Sequence, residues 1–305
     1  MKIKNIFPFA ASALLLASCG IYNKYERPEV NAQGLIRDVQ SDTDTLAVAD
    51  TTSFGNLPWR QVFTDPQLQS LIETALAHNT DYLNCALNVK MVEAQLTMAK
   101  LAFLPSVAFT PQGTISQWDG NKASKVYSLP VSASWTVDLF GNILNVKRST
   151  QMQLLGMKDY QLVVKTKLIT NVANMYYTLL MLDRQLEILN SMSELTQDTW
   201  RIMKLQKELG RANETSVQSA EASHYGVLTN IADMKRQIRE VENSLSLVLG
   251  QPAQTIARGK LADQSLPTEF STGVGIQLLA NRPDVHYAEM ALASCFYDTQ
   301  QARSN

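Results

Sequence analysis

The sequence predicts a mainly α fold in which long coiled-coil helices carry one pair of β-strands. Three observations lead there. Between Pro130 and Pro252 there is no proline, and Asn142 to Leu209 carries a single glycine, Gly156. From Val217 to Val248 apolar residues recur at alternating spacings of 3 and 4. From Tyr127 to Leu139 the period drops to 2. Composition sets the outer limits. A chain of 305 residues, 45% hydrophobic and 18% charged, can bury a sizeable core. Only 13 glycines and 10 prolines argue against a fibre or a disordered chain. A formal charge of −1 argues against a nucleic-acid binder, so no nucleic-acid partner is expected.

Lys2 and Lys4 precede a short apolar stretch, Ile6 to Leu16, interrupted by Pro8. A membrane-spanning helix needs about 20 apolar residues, so this reads as a secretory signal. Leu16-Ala17-Ser18-Cys19 has the pattern of a bacterial lipoprotein signal, with a small residue before the cut and a thiol at Cys19 to carry the lipid. An ordinary signal that contains a cysteine is the competing reading, and the register favours lipidation at Cys19. Removing residues 1–18 takes away Lys2 and Lys4 and moves the formal charge from −1 to −3. Residues 19–57, with Pro28, many Asp, Thr and Ser and no apolar period, read as an extended tether. Cys85 and Cys295 fall inside helical patterns; an exported protein could pair them, but nothing in their spacing demands it, and buried free thiols are expected.

The first helix is expected over 66–104. Asp65 can accept from its first free N–H groups, Pro66 suits the first helical position, and Pro105 ends it. Strands are expected over 105–118 and 125–139, joined by the turn signal Asp119-Gly120-Asn121. In the second strand the odd positions are Tyr127, Leu129, Val131, Ala133, Trp135, Val137 and Leu139. The even ones are Ser128, Pro130, Ser132, Ser134, Thr136 and Asp138. Such strands can cross a bilayer, since about 9–11 tilted residues suffice. Ser128, Ser132, Ser134 and Thr136 would then face a water-filled lumen, with Trp118, Tyr127 and Trp135 in interfacial belts. A soluble hairpin with one face on a core has the same period. The lipoprotein-type signal and the flanking helices favour the bilayer. Asp138 either faces the lumen or caps the turn into the next helix, and the second role is favoured.

A long helix follows over 142–209, about 100 Å of rod at 1.5 Å per residue. Gly210 sits where a left-handed cap is expected, and Asn213 caps a second helix over 213–249. Its seam runs Val217, Ala220, His224, Val227, Ile231, Met234, Ile238, Val241, Leu245 and Val248, a heptad pattern that demands a partner helix. His224 reads as a seam histidine. Neither His78 nor His286 has companions at ligand spacing, so no metal and no cofactor is expected. Residues 250–273 form a linker. Finally, Leu76-Ala77-His78-Asn79-Thr80-Asp81 matches Leu279-Ala280-Asn281-Arg282-Pro283-Asp284 at an offset of 203 residues, and Ala99-Lys100 falls on Ala302-Arg303. Residues 58–273 are therefore a first repeat and 274–305 the start of a second.

These residues resemble the TolC-like outer membrane efflux proteins, and within them the lipidated NodT/OprM-type channels. The resemblance rests on the Cys19 lipobox, Trp59-Arg60-Gln61-Val62-Phe63-Thr64-Asp65-Pro66-Gln67-Leu68 and Ala75-Leu76-Ala77-His78-Asn79. It rests further on Trp135-Thr136-Val137-Asp138-Leu139-Phe140-Gly141 and Leu279-Ala280-Asn281-Arg282-Pro283-Asp284-Val285. It implies a trimer in which each protomer gives four strands to a shared outer-membrane β-barrel and long helices to a periplasmic α-barrel. It also implies passive export of small molecules, drugs or metals, in contact with a periplasmic adaptor, an inner-membrane pump and outer-membrane lipid. By the same resemblance the turn Leu209, Gly210, Arg211, Ala212 and Asn213 would touch the adaptor. Only two of the four strands are present, so either six chains replace three or, as is favoured, the sequence is a C-terminally truncated protomer that does not form a conducting trimer by itself. The alternative is a periplasmic coiled-coil adaptor or scaffold lipoprotein, but adaptors flank their hairpin with glycine-rich β segments that are missing here. No Gly-x-Ser-x-Gly, His-Glu-x-x-His or phosphate-loop pattern occurs, so no enzyme and no catalytic residue is expected.

Overall fold

The computed structural model describes residues 23–28, 58–264 and 282–304. The expected signal peptide, Cys19, most of the tether and the end of the linker lie outside the described residues. The helices are α1 (Trp59–Val62), α2 (Pro66–His78), α3 (Thr80–Leu101), α4 (Asn142–Glu208), α5 (Glu214–Val248) and α6 (Pro283–Arg303). The strands are β1 (Ser106–Phe109), β2 (Gln112–Ser116), β3 (Ser124–Ser128) and β4 (Val131–Ser134). Among the described residues no helix is long and apolar enough to cross a membrane. Two compact units share the chain. One takes in described residues 23–28, 87–160 and 282–304, and the other 58–86 and 161–264.

Three expectations about these elements are corrected. The helix over 66–104 breaks at Asn79, whose backbone turns extended at φ −65° and ψ 122°. The Asn79 side chain compensates for the break: its Oδ1 accepts from the Tyr82 N–H at 3.0 Å and its Nδ2 donates to the Val248 carbonyl at 3.0 Å. Asn79 thus ends α2 and caps α3, a start signal present in Asn79-Thr80-Asp81. Each expected strand also breaks in two. Pro111 and Pro130 have no N–H to give a ladder, and they fall in the gap between the β1–β4 and β2–β3 pairings. Thr136 is the third correction. It lies beyond β4, because the register would set Trp135 opposite Pro105, which again has no N–H.

In the strand-bearing unit both ladders are antiparallel and share one register, from Ser106↔Ser134 to Ser116↔Ser124. The turn has positive φ at both Asp119 (49°) and Gly120 (74°), the form that matches hairpin twist. The hairpin leads directly into α4. Gly141 takes φ 74°, its carbonyl accepts from the Asn145 N–H at 2.9 Å, and Asp138 Oδ2 accepts from the Leu144 N–H at 2.8 Å. The capping role of Asp138 is the one observed. Further along α4, Ser149 Oγ lies 3.0 Å from Ser294 Oγ of α6. A Cβ on Gly156 would stand 3.3 Å from Met290 Cβ, so this glycine permits a close helix crossing. The 203-residue offset sets Thr80 of α3 on Pro283 of α6 and Asn79 on Arg282. Arg282 repeats the extended backbone, at φ −72° and ψ 125°.

The other unit holds a core of Leu68, Ile72 and Ala75 from α2, Leu168 to Leu182 from α4, and Ile238, Leu245 and Leu249 from or just after α5. Every member of the predicted α5 seam is buried or half-buried. Its partner is the second half of α4, running antiparallel: Lys207 pairs with Glu214, and Thr196 Oγ1 meets His224 Nδ1 at 3.2 Å. His224 also stacks on Trp200 with ring centroids 6.0 Å apart. Gly250 ends α5 at φ 68°, and a side chain there would strike the His78 carbonyl at 2.8 Å. Both described cysteines are free. Cys85 is buried as expected, but Cys295 is exposed, because it lies on the face of α6 turned away from Met290, Ala293, Ser294 and Tyr297.

Candidate functional site

The hairpin presents two chemically opposite faces. Because its two ladders share one register, odd-numbered residues of both arms fall on one side and even-numbered residues on the other. The odd side carries Val107, Phe109, Ile115, Tyr127, Leu129 and Val131, and the even side Gln112, Thr114, Ser128, Ser132 and Ser134. Among the larger side chains the exceptions, Lys125 and Val126, lie at the turn end, and the small Ala108 also falls on the even side. Neither side is covered: Val107 is 70% exposed, Leu129 70% and Val131 68%. A contiguous exposed apolar row marks an interaction surface, here one of strand shape. Among the described residues β1 pairs with β4 and β2 with β3, which leaves the outer edge of each arm without a ladder. In hydrocarbon such edges need further strands. At the hairpin base, the exposed Trp135 donates its indole N–H to the Phe103 carbonyl at 3.1 Å.

The α4–α5 tip is a built turn. Gly210 takes φ 70°, its N–H donates to the Lys207 carbonyl at 2.9 Å, and the Arg211 N–H donates to the Gln206 carbonyl at 2.8 Å. Asn213 Oδ1 accepts from both the N–H and the hydroxyl of Ser216, each at 2.8 Å. Hydrogen bonds from Gln218 and Lys207 hold the Glu214 carboxyl below its usual range. Leu209, Arg211 and Asn213 are exposed on this tip.

Two partly buried polar clusters fasten the chain after α5, and sequence patterns did not single them out. Arg258 reaches Asp183 with two donors, Nη2 to Oδ1 at 2.9 Å and Nε to Oδ2, and its Nη1 donates to Glu242 Oε1 at 2.5 Å. The Asp183 hydrogen bond is the main cause that raises its guanidinium pKa. In the second cluster, Asp65 Oδ2 accepts from Tyr176 Oη at 2.5 Å and from Gln264 Nε2 at 2.8 Å. Tyr176 Oη in turn accepts from the Gly259 N–H at 3.1 Å. Burial pushes the Asp65 carboxyl up, but hydrogen bonds from Tyr176, Gln264 and the Gln67 and Leu68 amides outweigh it and hold it below its ordinary value. Burial, then the Asp65 carboxylate, push Tyr176 from 10.0 up to about 12. Asp65 was legible as a helix cap, but its second role was not. Its partners lie 111 and 199 residues away.

The pH dependence follows from these directions. Asp65 contributes stability that is present above its ordinary 3.8 and lost as pH falls through its lower folded value. Tyr176 contributes stability that is present below 10.0 and lost as pH rises through about 12. The thermal midpoint in detergent should therefore fall between about pH 10 and 12, and Tyr176→Phe should reduce that alkaline loss while lowering the midpoint at neutral pH. An alkaline loss unchanged by Tyr176→Phe would assign it to other groups.

Of the residues singled out in the sequence, Ser128, Ser132 and Ser134 share the polar face of the hairpin, and Thr136 lies off its end. Leu209 to Asn213 form the tip, and Cys19 lies outside the described residues. Among the described residues no group of three His, Cys, Asp or Glu side chains could hold a metal ion.

Comparison with known proteins adds four findings. A family model described as "Outer membrane efflux protein" matches residues 71–251. The cation efflux system protein CusC of Escherichia coli (strain K12) is 26% identical over 310 residues, which cover 98% of this chain and 65% of that protein. The probable efflux pump outer membrane protein TtgC of Pseudomonas putida is 26% identical over 313 residues, 99% of this chain and 64% of its own length. The solved outer-membrane channel OprN superposes with a TM-score of 0.75 at 22% identity, over 92% of this chain and 63% of its own. The chain thus spans just under two thirds of the relatives it matches.

Proposed function

Because the chain belongs to the outer membrane efflux protein family, we propose that it is a channel subunit of a tripartite efflux system, a passive route for small molecules across the outer membrane. The observation that carries this reading is the hairpin, uncovered on both faces, apolar on one and hydroxyl-rich on the other. Placed in a barrel wall, the odd face meets lipid, and Ser128, Ser132 and Ser134 meet a water-filled lumen. The outer edges then need further strands, and the assembly is the self-trimer expected of the family. The α4–α5 coiled coil projects into the periplasm, and its tip from Leu209 to Asn213 is offered to an adaptor and, through it, to an inner-membrane pump. Cys19 carries the acyl chains that hold the N-terminus at the same membrane. The cargo belongs to the classes such channels serve, drugs or metal ions, and the channel performs no chemistry on it.

Cysteine scanning of residues 127–134 in outer-membrane vesicles, in a Cys295→Ser background, tests the reading. A membrane-impermeant thiol reagent should label even positions, and a lipid-soluble maleimide odd ones. Equal labelling of both sets by the impermeant reagent would overturn it.

A further inference from the structure

The tether expected to run extended from Cys19 to the body is fixed at an early point. The Tyr25 N–H donates to Tyr297 Oη of α6 at 3.1 Å, and the Tyr25 ring meets Phe296 edge-on with centroids 5.9 Å apart. Two residues on, Arg27 grips Glu289 with both donors, Nε to Oε1 at 2.7 Å and Nη2 to Oε2. Glu289 is only 15% exposed, and the Arg27 hydrogen bond holds its carboxyl below the usual range. As the segment advances from Tyr25 to Arg27, its partners step back from Tyr297 to Glu289, so it runs antiparallel to α6. Tyr297 is buried, and the Arg148 guanidinium of α4 stands 5.7 Å over its ring. Arg148 is six residues into α4 from Asn142, about 9 Å of helix from the hairpin exit. The fixed point therefore lies at the hairpin-proximal end of α6.

We propose that Tyr25 and Arg27 form a clasp on α6 that sets where the lipid anchor enters the membrane. Six residue steps lead from Cys19 to Tyr25, so the acyl chains enter within about 20 Å of Tyr297, beside the hairpin base. Without the clasp the acyl chains would lose this fixed point beside the hairpin base. Arg27 is a positioning residue. A bidentate ion pair with a largely buried carboxylate supplies both the strength and the register the task requires. The proposal rests on lipidation at Cys19.

Two readouts on the full chain in outer-membrane vesicles separate the clasp from the lipid. Hydrogen exchange should show a slow Tyr25 amide. Arg27→Ala, which leaves α6 untouched, should speed it at least tenfold, and exchanging the charges as Arg27→Glu with Glu289→Arg should restore most of the protection. Metabolic loading with a photoactivatable palmitate analogue should give adducts on hairpin peptides of the wild-type chain, and adducts scattered elsewhere with Arg27→Ala. A Tyr25 amide that exchanges equally fast in the wild type and Arg27→Ala would overturn the clasp, as would an adduct pattern that Arg27→Ala leaves unchanged. If no analogue is incorporated, or if Cys19→Ala incorporates as much as wild type, the lipidation reading falls, and with it the anchoring role of the clasp.

Discussion

Lysine in place of Val131 should abolish stable insertion of the hairpin, whereas lysine at Ser132, one residue along, should be tolerated. Val131 lies directly opposite Phe109, so the two side chains form one cross-strand pair on the apolar face. Ser132 lies opposite Ala108 on the other face. A cation on the lipid side of a barrel strand costs about 2–4 kcal/mol at the bilayer midplane and little near its edges, while a cation toward water costs almost nothing. Val131 is three residues in from Ser134 and seven from Ser124, away from both ends of the arm, so that range applies. In a trimer the penalty is incurred three times per assembly. Urea extraction of outer membranes measures it: Val131→Lys should release most of the protein and Ser132→Lys little. Lys125, already on the apolar face, provides an internal comparison, since it lies one residue from the turn end of β3 and can reach headgroups. Equal extraction of the two variants would mean that the two faces do not meet different solvents.

The legible parts of this protein are those whose physics is local. Helix α5 announced itself because its seam recurs every 3.5 residues on average, and a helix with that repeat has few other places to lie. The hairpin announced itself because period 2 and Asp119-Gly120 are decided within a dozen residues. Its interruption at Pro111 and Pro130 was readable in principle, since each lacks an N–H, but only the register shows that the two prolines share one gap. The break at Asn79 was missed because no proline or glycine marks it. What sustains it is the Val248 carbonyl, 169 residues away, and no window along the chain contains both. Likewise the tether looked featureless because its partner, Glu289, lies 262 residues from Arg27. The exposed Cys295 shows the same limit from the other side: an apolar position on a helix is buried only where a neighbour covers that face. The candidate site divides along this line. Its hairpin and tip follow from pattern, and the polar clusters that fasten the chain after α5 follow from tertiary contact.

The largest effect on stability should come from Arg258. Its guanidinium spans α4 and α5, reaching Asp183 on one and Glu242 on the other, and its Nη1 also donates to the Ile256 carbonyl at 3.0 Å. Ile256 is 3% exposed and plugs the core, so Arg258 holds that segment where α2, α4 and α5 meet. Removing one partner of such a group costs about 3–5 kcal/mol, chiefly because a buried charge is left without compensation. The two carboxylates do not share that cost equally. The Asp183 side chain is 38% exposed and can turn to water, whereas Glu242 is only 9% exposed and cannot. Arg258→Met should therefore destabilise the helical unit by about 3 kcal/mol or more, read as a shift in chemical-denaturation midpoint. Adding Glu242→Gln should recover the larger share of the loss, and adding Asp183→Asn little. Glu242 Oε1 also accepts from the Ile256 N–H at 3.4 Å, a bond that Gln can keep through its carbonyl oxygen. If neither Glu242→Gln nor Asp183→Asn recovers stability, the penalty lies in the loss of the arginine's own contacts, and the orphaned Glu242 charge is not its source.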